Sequence, residues 1–210
     1  PLEVYGGTPT QVDQVDGIAD LPVEQVDDIV VLGGDPDVIE AVNPSLAPFG
    51  ILVVIARDPL ERKVALDVGR IHYNRWVCVG GMDPDIARAY SEVPVRSSLR
   101  CGGRAWFVGA GGPMGRMHVQ RAIQIADHPA TILCTDISDS RLDDLCATFG
   151  AEAEAKGIDF VCLNPLEEAA YQAGMARFED SGFDDIVVLA PVPAVISDAA
   201  TYLAPRGVMN

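Results

Sequence analysis

Short, uninterrupted apolar runs rich in β-branched residues alternate along this chain with longer stretches that mix apolar and polar positions at helical spacing. Leu2–Tyr5 reads as a short strand, followed by a polar stretch from Thr8 to Glu24. Ile29–Leu32 and Ile51–Ala56 read as strands around a short helix at Pro36–Asn43. Trp76–Val79 is a further strand, and Asp83–Glu92 a helix with Pro84 in its first turn. The second half reads as strand Ala105–Val108, helix Met114–Ala126, strand Thr131–Thr135 and helix Ser140–Phe149. Strand Ile158–Cys162, helix Leu166–Phe178, strand Ile186–Leu189 and helix Ala194–Leu203 complete the series. Apolar strands separated by helical segments of this length predict an α/β fold, a parallel sheet with helices on both faces.

The pattern repeats. Asp27-Asp28-Ile29-Val30-Val31-Leu32 recurs as Asp184-Asp185-Ile186-Val187-Val188-Leu189, an offset of 157. At that offset, residues 3–53 lie against 160–210 with 16 identities in 51 positions, and 13 of them fall between Asp27 and Gly50. Leu46-Ala47-Pro48-Phe49-Gly50 lies over Leu203-Ala204-Pro205-Arg206-Gly207. A second matching block at one offset points to duplication rather than chance.

Composition narrows the function. Hydrophobic residues are 49% and charged residues 22%, an ordinary globular balance. The net charge of −16, from 31 acidic and 15 basic side chains, repels phosphate backbones and argues against nucleic-acid binding. No apolar run is long enough for a membrane span and no signal peptide is visible, so a cytoplasmic protein is expected. The five cysteines are widely spaced, form no C-x-x-C, and in three cases (Cys78, Cys134, Cys162) sit in apolar strand-like runs. Free buried thiols are expected rather than disulfides or metal ligands. No clustered Cys/His/Glu set has zinc-ligand spacing, so zinc is not expected in this chain. There is no G-x-S-x-G turn for a serine nucleophile and no Walker-type loop for phosphoryl transfer. His72-Tyr73, read as neighbours on a strand, would point to opposite faces, which disfavours an acid/base pair. His118 has no partner at ligand spacing and reads as a packed or surface residue.

The most informative stretch runs from Arg104 through Phe107-Val108-Gly109-Ala110-Gly111-Gly112-Pro113-Met114-Gly115 into a helix. A buried strand leads straight into a glycine cluster, and a helix follows at once. Gly109 can make the tight turn, Gly112 leaves room for a pyrophosphate, and Gly115 lets the helix pack closely on the strand. Amides at the helix start then face the phosphates, aided by the helix dipole. The next strand ends on Asp136, 21 residues after Gly115, where a carboxylate can accept ribose hydroxyls and repel a 2′-phosphate. Asp136 could instead serve as a helix cap beside Ser138 or Asp139. The joint spacing favours the ribose role, and with it NAD(H) over NADP(H). Arg141 lies close enough in sequence to weaken that preference. In open sheets of this kind the ligand crevice lies beyond the carboxyl ends of strands one and four, which places Ala190 and Pro191 at the nicotinamide half. Gly33-Gly34 holds the equivalent place in the earlier repeat.

With Ala105–Val108 as first strand of a Rossmann-type unit, Ile186 opens its fourth strand, and the repeat makes Ile29 the fourth strand of an earlier unit. Two out-of-phase part-units are therefore expected, at 1–95 and 100–210. Either they belong to a longer tandem protein or they complement each other in one permuted domain; the former is favoured.

The glycine loop with Thr135-Asp136-Ile137, Arg141-Leu142 and Gly182-Phe183-Asp184-Asp185-Ile186 resembles the cofactor domain of zinc-type medium-chain alcohol dehydrogenases. Ile71-His72-Tyr73-Asn74 followed by Val79-Gly80-Gly81 is similar to the segment after the fifth strand in these enzymes. The closest flavour is the sugar-phosphate and polyol branch that includes sorbose 1-phosphate reductase. The resemblance implies a dinucleotide partner, a catalytic domain elsewhere in the full-length protein, and a homodimer paired edge to edge at Trp76–Val79. A non-catalytic dinucleotide sensor or a dimerisation module is the alternative reading.

Overall fold

In the computed structural model the apolar runs become strands of two wholly parallel sheets, each within one of two compact units, Pro1–Val95 and Arg96–Asn210. The structure describes residues 24–91, 93 and 96–210. The strand expected at Leu2–Tyr5, and all but Glu24 of the polar stretch after it, lie outside the described residues.

The first unit contains β1 (Val26–Leu32), α1 (Pro36–Val42), β2 (Leu46–Ile55), α2 (Val68–Tyr73), β3 (Val77–Gly81) and α3 (Ile86–Ser91), with strand order β1-β2-β3. Alternation sorts its side chains to two faces. Val31, Leu52 and Trp76 pack with Ile39 and Leu46 on one face, while Val53, Ile55 and Ala89 form the core of the other. Asp35 caps α1 by accepting hydrogen bonds from the Asp37 and Val38 amides, and Pro36 opens the helix.

The second unit contains β4 (Arg104–Val108), α4 (Pro113–Gln124), β5 (Thr131–Thr135), α5 (Asp139–Ala155), β6 (Asp159–Leu163), α6 (Glu168–Met175), β7 (Phe183–Val188), α7 (Pro193–Ala200) and β8 (Leu203–Met209). Its strand order is β6-β5-β4-β7-β8, the three-two-one-four-five order of a Rossmann-type sheet. Ala105 and Phe107 point to the face covered by Val119, Ile123, Leu145 and Phe149 of α4 and α5. Trp106 and Val108 point to the other, against Met175, Phe178 and Ala199. Helices thus cover both faces, and the buried Trp106 indole donates to the Thr135 hydroxyl (3.0 Å), so its one polar group is satisfied.

The β-α-β segments that share sequence also share geometry. Val26 pairs with Leu46, Asp28 with Ile51 and Ile29 with Leu52; at an offset of 157, Phe183 pairs with Leu203, Asp185 with Val208 and Ile186 with Met209. The register shifts at the same point in each. Phe49 (φ 67°) and Arg206 (φ 62°) occupy equivalent left-handed positions at that shift.

Four expectations need correction. First, β2 begins at Leu46, not Ile51, and Leu203 belongs to β8 rather than to the end of a helix, because each strand continues through its left-handed residue. Second, His72 and Tyr73 lie on the helix α2, which Asp67 caps by accepting from the Arg70 amide. Third, α3 starts at Ile86 rather than Asp83, because Asp85 accepts from the Ala87 amide (3.0 Å) and so precedes the first turn. Fourth, Cys78 and Cys101 are exposed and Cys146 and Cys162 are half-buried; only Cys134 is fully buried. All five thiols are free.

Candidate functional site

At the carboxyl end of β4 the backbone must reverse within a few residues and enter α4. Gly109 does this in the left-handed region (φ 81°) that glycine adopts without strain. The Gly109 and Ala110 amides both donate to the Thr135 carbonyl (2.8 and 2.9 Å), which ties the loop to the end of β5. The Gly111 amide donates to Asp136 Oδ2 (3.0 Å). Gly112 is the N-cap residue of α4, and Pro113 stands in the first turn, where a missing amide costs nothing.

The glycines divide by what surrounds them. A Cβ on Gly115 would lie 2.4 Å from the Ala110 carbonyl oxygen, so this glycine permits the close contact between helix and loop. One on Gly111 would lie 2.6 Å from Arg141 Cβ and 2.8 Å from Asp136 Oδ2. At Gly112 the nearest atom would be 3.8 Å away, so the space above it is open at the start of a twelve-residue helix. That is the space in which a pyrophosphate would meet the free amides of the helix end. Met114, 55% exposed, flanks this opening on the first turn of α4.

Asp136 ends β5 almost fully buried, with both carboxylate oxygens engaged by amides. Oδ2 accepts from Gly111, and Oδ1 accepts from the Ser138 amide (3.1 Å) in the turn before α5. Sequence spacing put Asp136 either at a ribose or at a helix start. In the structure it joins the helix start to the glycine loop, and each oxygen keeps a further lone pair for a ligand. Arg141 is largely exposed, its guanidinium 4.0 Å from Asp136 Oδ1. Ala190 lies directly against Gly109: a Cβ there would be 3.3 Å from the Ala190 amide nitrogen. Pro191 is exposed in the turn that leads to α7.

The structure therefore gathers Gly109, Gly111, Gly112, Pro113, Met114, Gly115, Asp136 and Arg141 at one strand end, with Ala190 behind the turn. Sequence reasoning did not single out Thr135, whose carbonyl holds two loop amides. A carbonyl acceptor leaves no signature in residue type. His118 is half-buried on α4. The rings of His72 and Tyr73 stand edge to face, 5.1 Å apart, and Tyr73 is 85% exposed. Among the described residues no group of three His, Cys, Asp or Glu side chains could hold a metal ion, and no helix is long and apolar enough to cross a membrane.

No protein-family model matches the chain. Among curated proteins it is similar to Escherichia coli (strain K12) uncharacterized protein YggP, with 35% identity over 55% of this chain and 28% of that protein. It is also similar to mannitol-1-phosphate 5-dehydrogenase of Aliivibrio fischeri, 31% identical over 53% of this chain and 27% of the relative. L-Sorbose 1-phosphate reductase of Klebsiella pneumoniae is 27% identical over 53% and 26%, respectively. The chain thus spans about a quarter of the length of the curated relatives it matches. Among solved structures, alcohol dehydrogenase TADH from Thermus sp. ATN1 aligns with a TM-score of 0.41 and 22% identity, over 53% of this chain and 29% of that one.

Proposed function

We propose that the second unit is the NAD(H)-binding part of an oxidoreductase of the alcohol-dehydrogenase kind, acting on a polyol or sugar phosphate. One observation carries the reading: a glycine turn, pinned to Thr135 and Asp136, opens at Gly112 onto the amide end of α4. The names of two relatives, a mannitol-1-phosphate dehydrogenase and a sorbose 1-phosphate reductase, support the substrate class. Gly112, Pro113 and Met114 would receive the pyrophosphate, Asp136 and Arg141 the adenosine ribose, and Ala190 and Pro191 the nicotinamide side. When bound, the nicotinamide supplies the two-electron chemistry. The groups that polarise the substrate carbonyl belong, in this reading, to the remainder of a longer protein.

NAD(H) is preferred to NADP(H) because a 2′-phosphate would meet a buried carboxylate held in place by two amides, while the Arg141 guanidinium, 4.0 Å from Asp136 Oδ1, is largely exposed and its charge screened by solvent. Calorimetric titration tests this directly. NADH should bind saturably and at least tenfold more tightly than NADPH. Gly112→Val, which fills the open space without touching the core, should abolish binding. Asp136→Ala should weaken binding and narrow the gap between the two cofactors. A folded protein that binds neither dinucleotide would refute the proposal.

A further inference from the structure

We propose that Cys162 is a peroxide-modified thiol and that Cys146 resolves it, joining α5 to β6 through a reversible disulfide. Cys134 of β5 and Cys162 of β6 are register partners in parallel strands, so their side chains leave the sheet on one face. That face lies beneath α4 and α5: Cys134 belongs to the core with Leu145 and Phe149, and Cys162 packs against the same core. On α5, Leu142, Cys146, Phe149 and Ala153 follow one another at spacings of three and four, and the other three are buried. Cys146 therefore stands on the stripe of the helix that faces the sheet, and its thiol donates to Cys162, as the Cys134 thiol does. Three sulfurs from three elements converge on one point. They do not make a metal site, since among the described residues no three His, Cys, Asp or Glu side chains could hold an ion.

Exposure divides the roles. Cys134 is buried, whereas Cys146 and Cys162 are each half-buried, so a dissolved oxidant or reductant can reach the second pair. The two thiol donors favour a thiolate at Cys162 against burial and the nearby Asp143 carboxylate. Burial, and then the hydrogen bond to Cys162 and its charge, keep Cys146 protonated. The Cys162 thiolate attacks one oxygen of hydrogen peroxide and supplies two electrons. The O–O bond breaks, hydroxide leaves and takes a proton from water, and Cys162 becomes a sulfenic acid. With the charge on Cys162 gone, Cys146 is freer to attack. An S–S bond forms, the S–O bond breaks, and the Cys146 proton leaves with the hydroxyl as water. Two thiols and one peroxide thus give one disulfide and two waters.

The test is oxidation of the reduced full chain by hydrogen peroxide at neutral pH, then blocking with N-ethylmaleimide, non-reducing trypsin digestion and mass spectrometry. Trypsin places the three cysteines on separate peptides, 122–141, 142–156 and 157–177. The expected product is a monomeric chain lighter by two hydrogens, with 142–156 linked to 157–177, and dithiothreitol restores the starting mass. The free Cys162 thiol should disappear at least tenfold faster than that of the exposed Cys101. In Cys146→Ser the sulfenic acid should persist and add dimedone on 157–177. In Cys162→Ser no link should form and Cys146 should stay unmodified. The rate comparison is made within the unsubstituted chain, so it decides the matter even where a variant folds poorly. A link from 157–177 to 122–141 instead, oxidation of Cys162 no faster than of Cys101, or passage to the sulfinic acid without a link would each overturn the proposal.

Discussion

At the scale of single residues, the three thiols beneath α5 offer the sharpest pH-dependent signal. Cys134 of β5 and Cys162 of β6 are register partners, and Cys146 of α5 reaches Cys162 as well. Hydrogen bonds from Cys134 and then Cys146 hold the Cys162 thiol below the usual thiol range, whereas burial pushes Cys146 above it. Because the thiolate is the nucleophile, Cys162 should react with iodoacetamide at a distinctly lower pH than Cys146. Removing the main donor with Cys134→Ala should move the Cys162 midpoint upward; mass-spectrometric labelling rates would show a failure to move. The candidate site was legible at this scale wherever the chemistry lies in residue type. The glycines and Asp136 could be chosen by spacing alone, but the use of both Asp136 oxygens by amides could not. Which lone pair an amide takes depends on the exact path of two loops that approach only in the folded chain.

Among the elements, the doubled β-α-β segment invites a test of its shared left-handed residue. A side chain at φ 67° costs roughly 1 kcal/mol that glycine would not incur, and Phe49 is 68% exposed, giving up little burial. Its ring does carry the Arg75 guanidinium at 5.5 Å, a contact worth under about 1 kcal/mol at the surface. Phe49→Gly should therefore be close to neutral. Gly50→Ala, by contrast, would set a Cβ 2.6 Å from the Leu46 side chain and 2.8 Å from the Ala47 carbonyl, and should destabilise β2 by roughly 1–3 kcal/mol in urea unfolding. A second test concerns β7: Asp185→Asn places an amide among donors and leaves the Arg96 guanidinium with only the Ser98 and Asp184 carbonyls as partners. It should cost roughly 1–3 kcal/mol, because the carboxylate is buried and accepts from two donors. Strand centres and long helices were readable from apolar runs and helical spacing, since burial on both sheet faces demands continuous hydrophobicity. α2 was not readable, because its six residues are held by the Asp67 cap rather than by an apolar stripe. The start of β2 was hidden by Pro48 and Phe49, which read as a break while the strand in fact bends through it.

At the scale of the whole molecule, net charge and local geometry act on a dinucleotide in opposite directions, and distance decides between them. The chain carries −16, so an approaching anionic pyrophosphate is repelled from afar, while the free amides of α4 attract it only at contact. The Debye length is about 10 Å at 0.1 M salt, so added salt cancels repulsion from distant carboxylates sooner than it weakens hydrogen bonds at about 3 Å. NADH binding to this chain should accordingly strengthen, by a few-fold, as sodium chloride rises from 20 to 200 mM. The gain should appear mainly in the association rate, because the close contacts that govern dissociation are the less screened ones. Stopped-flow fluorescence at several salt concentrations separates the two rates. A binding constant that falls steeply with salt would mean that arginines near the loop, Arg141 first among them, dominate the encounter, and that the acidic surface is too far from the opening above Gly112 to matter.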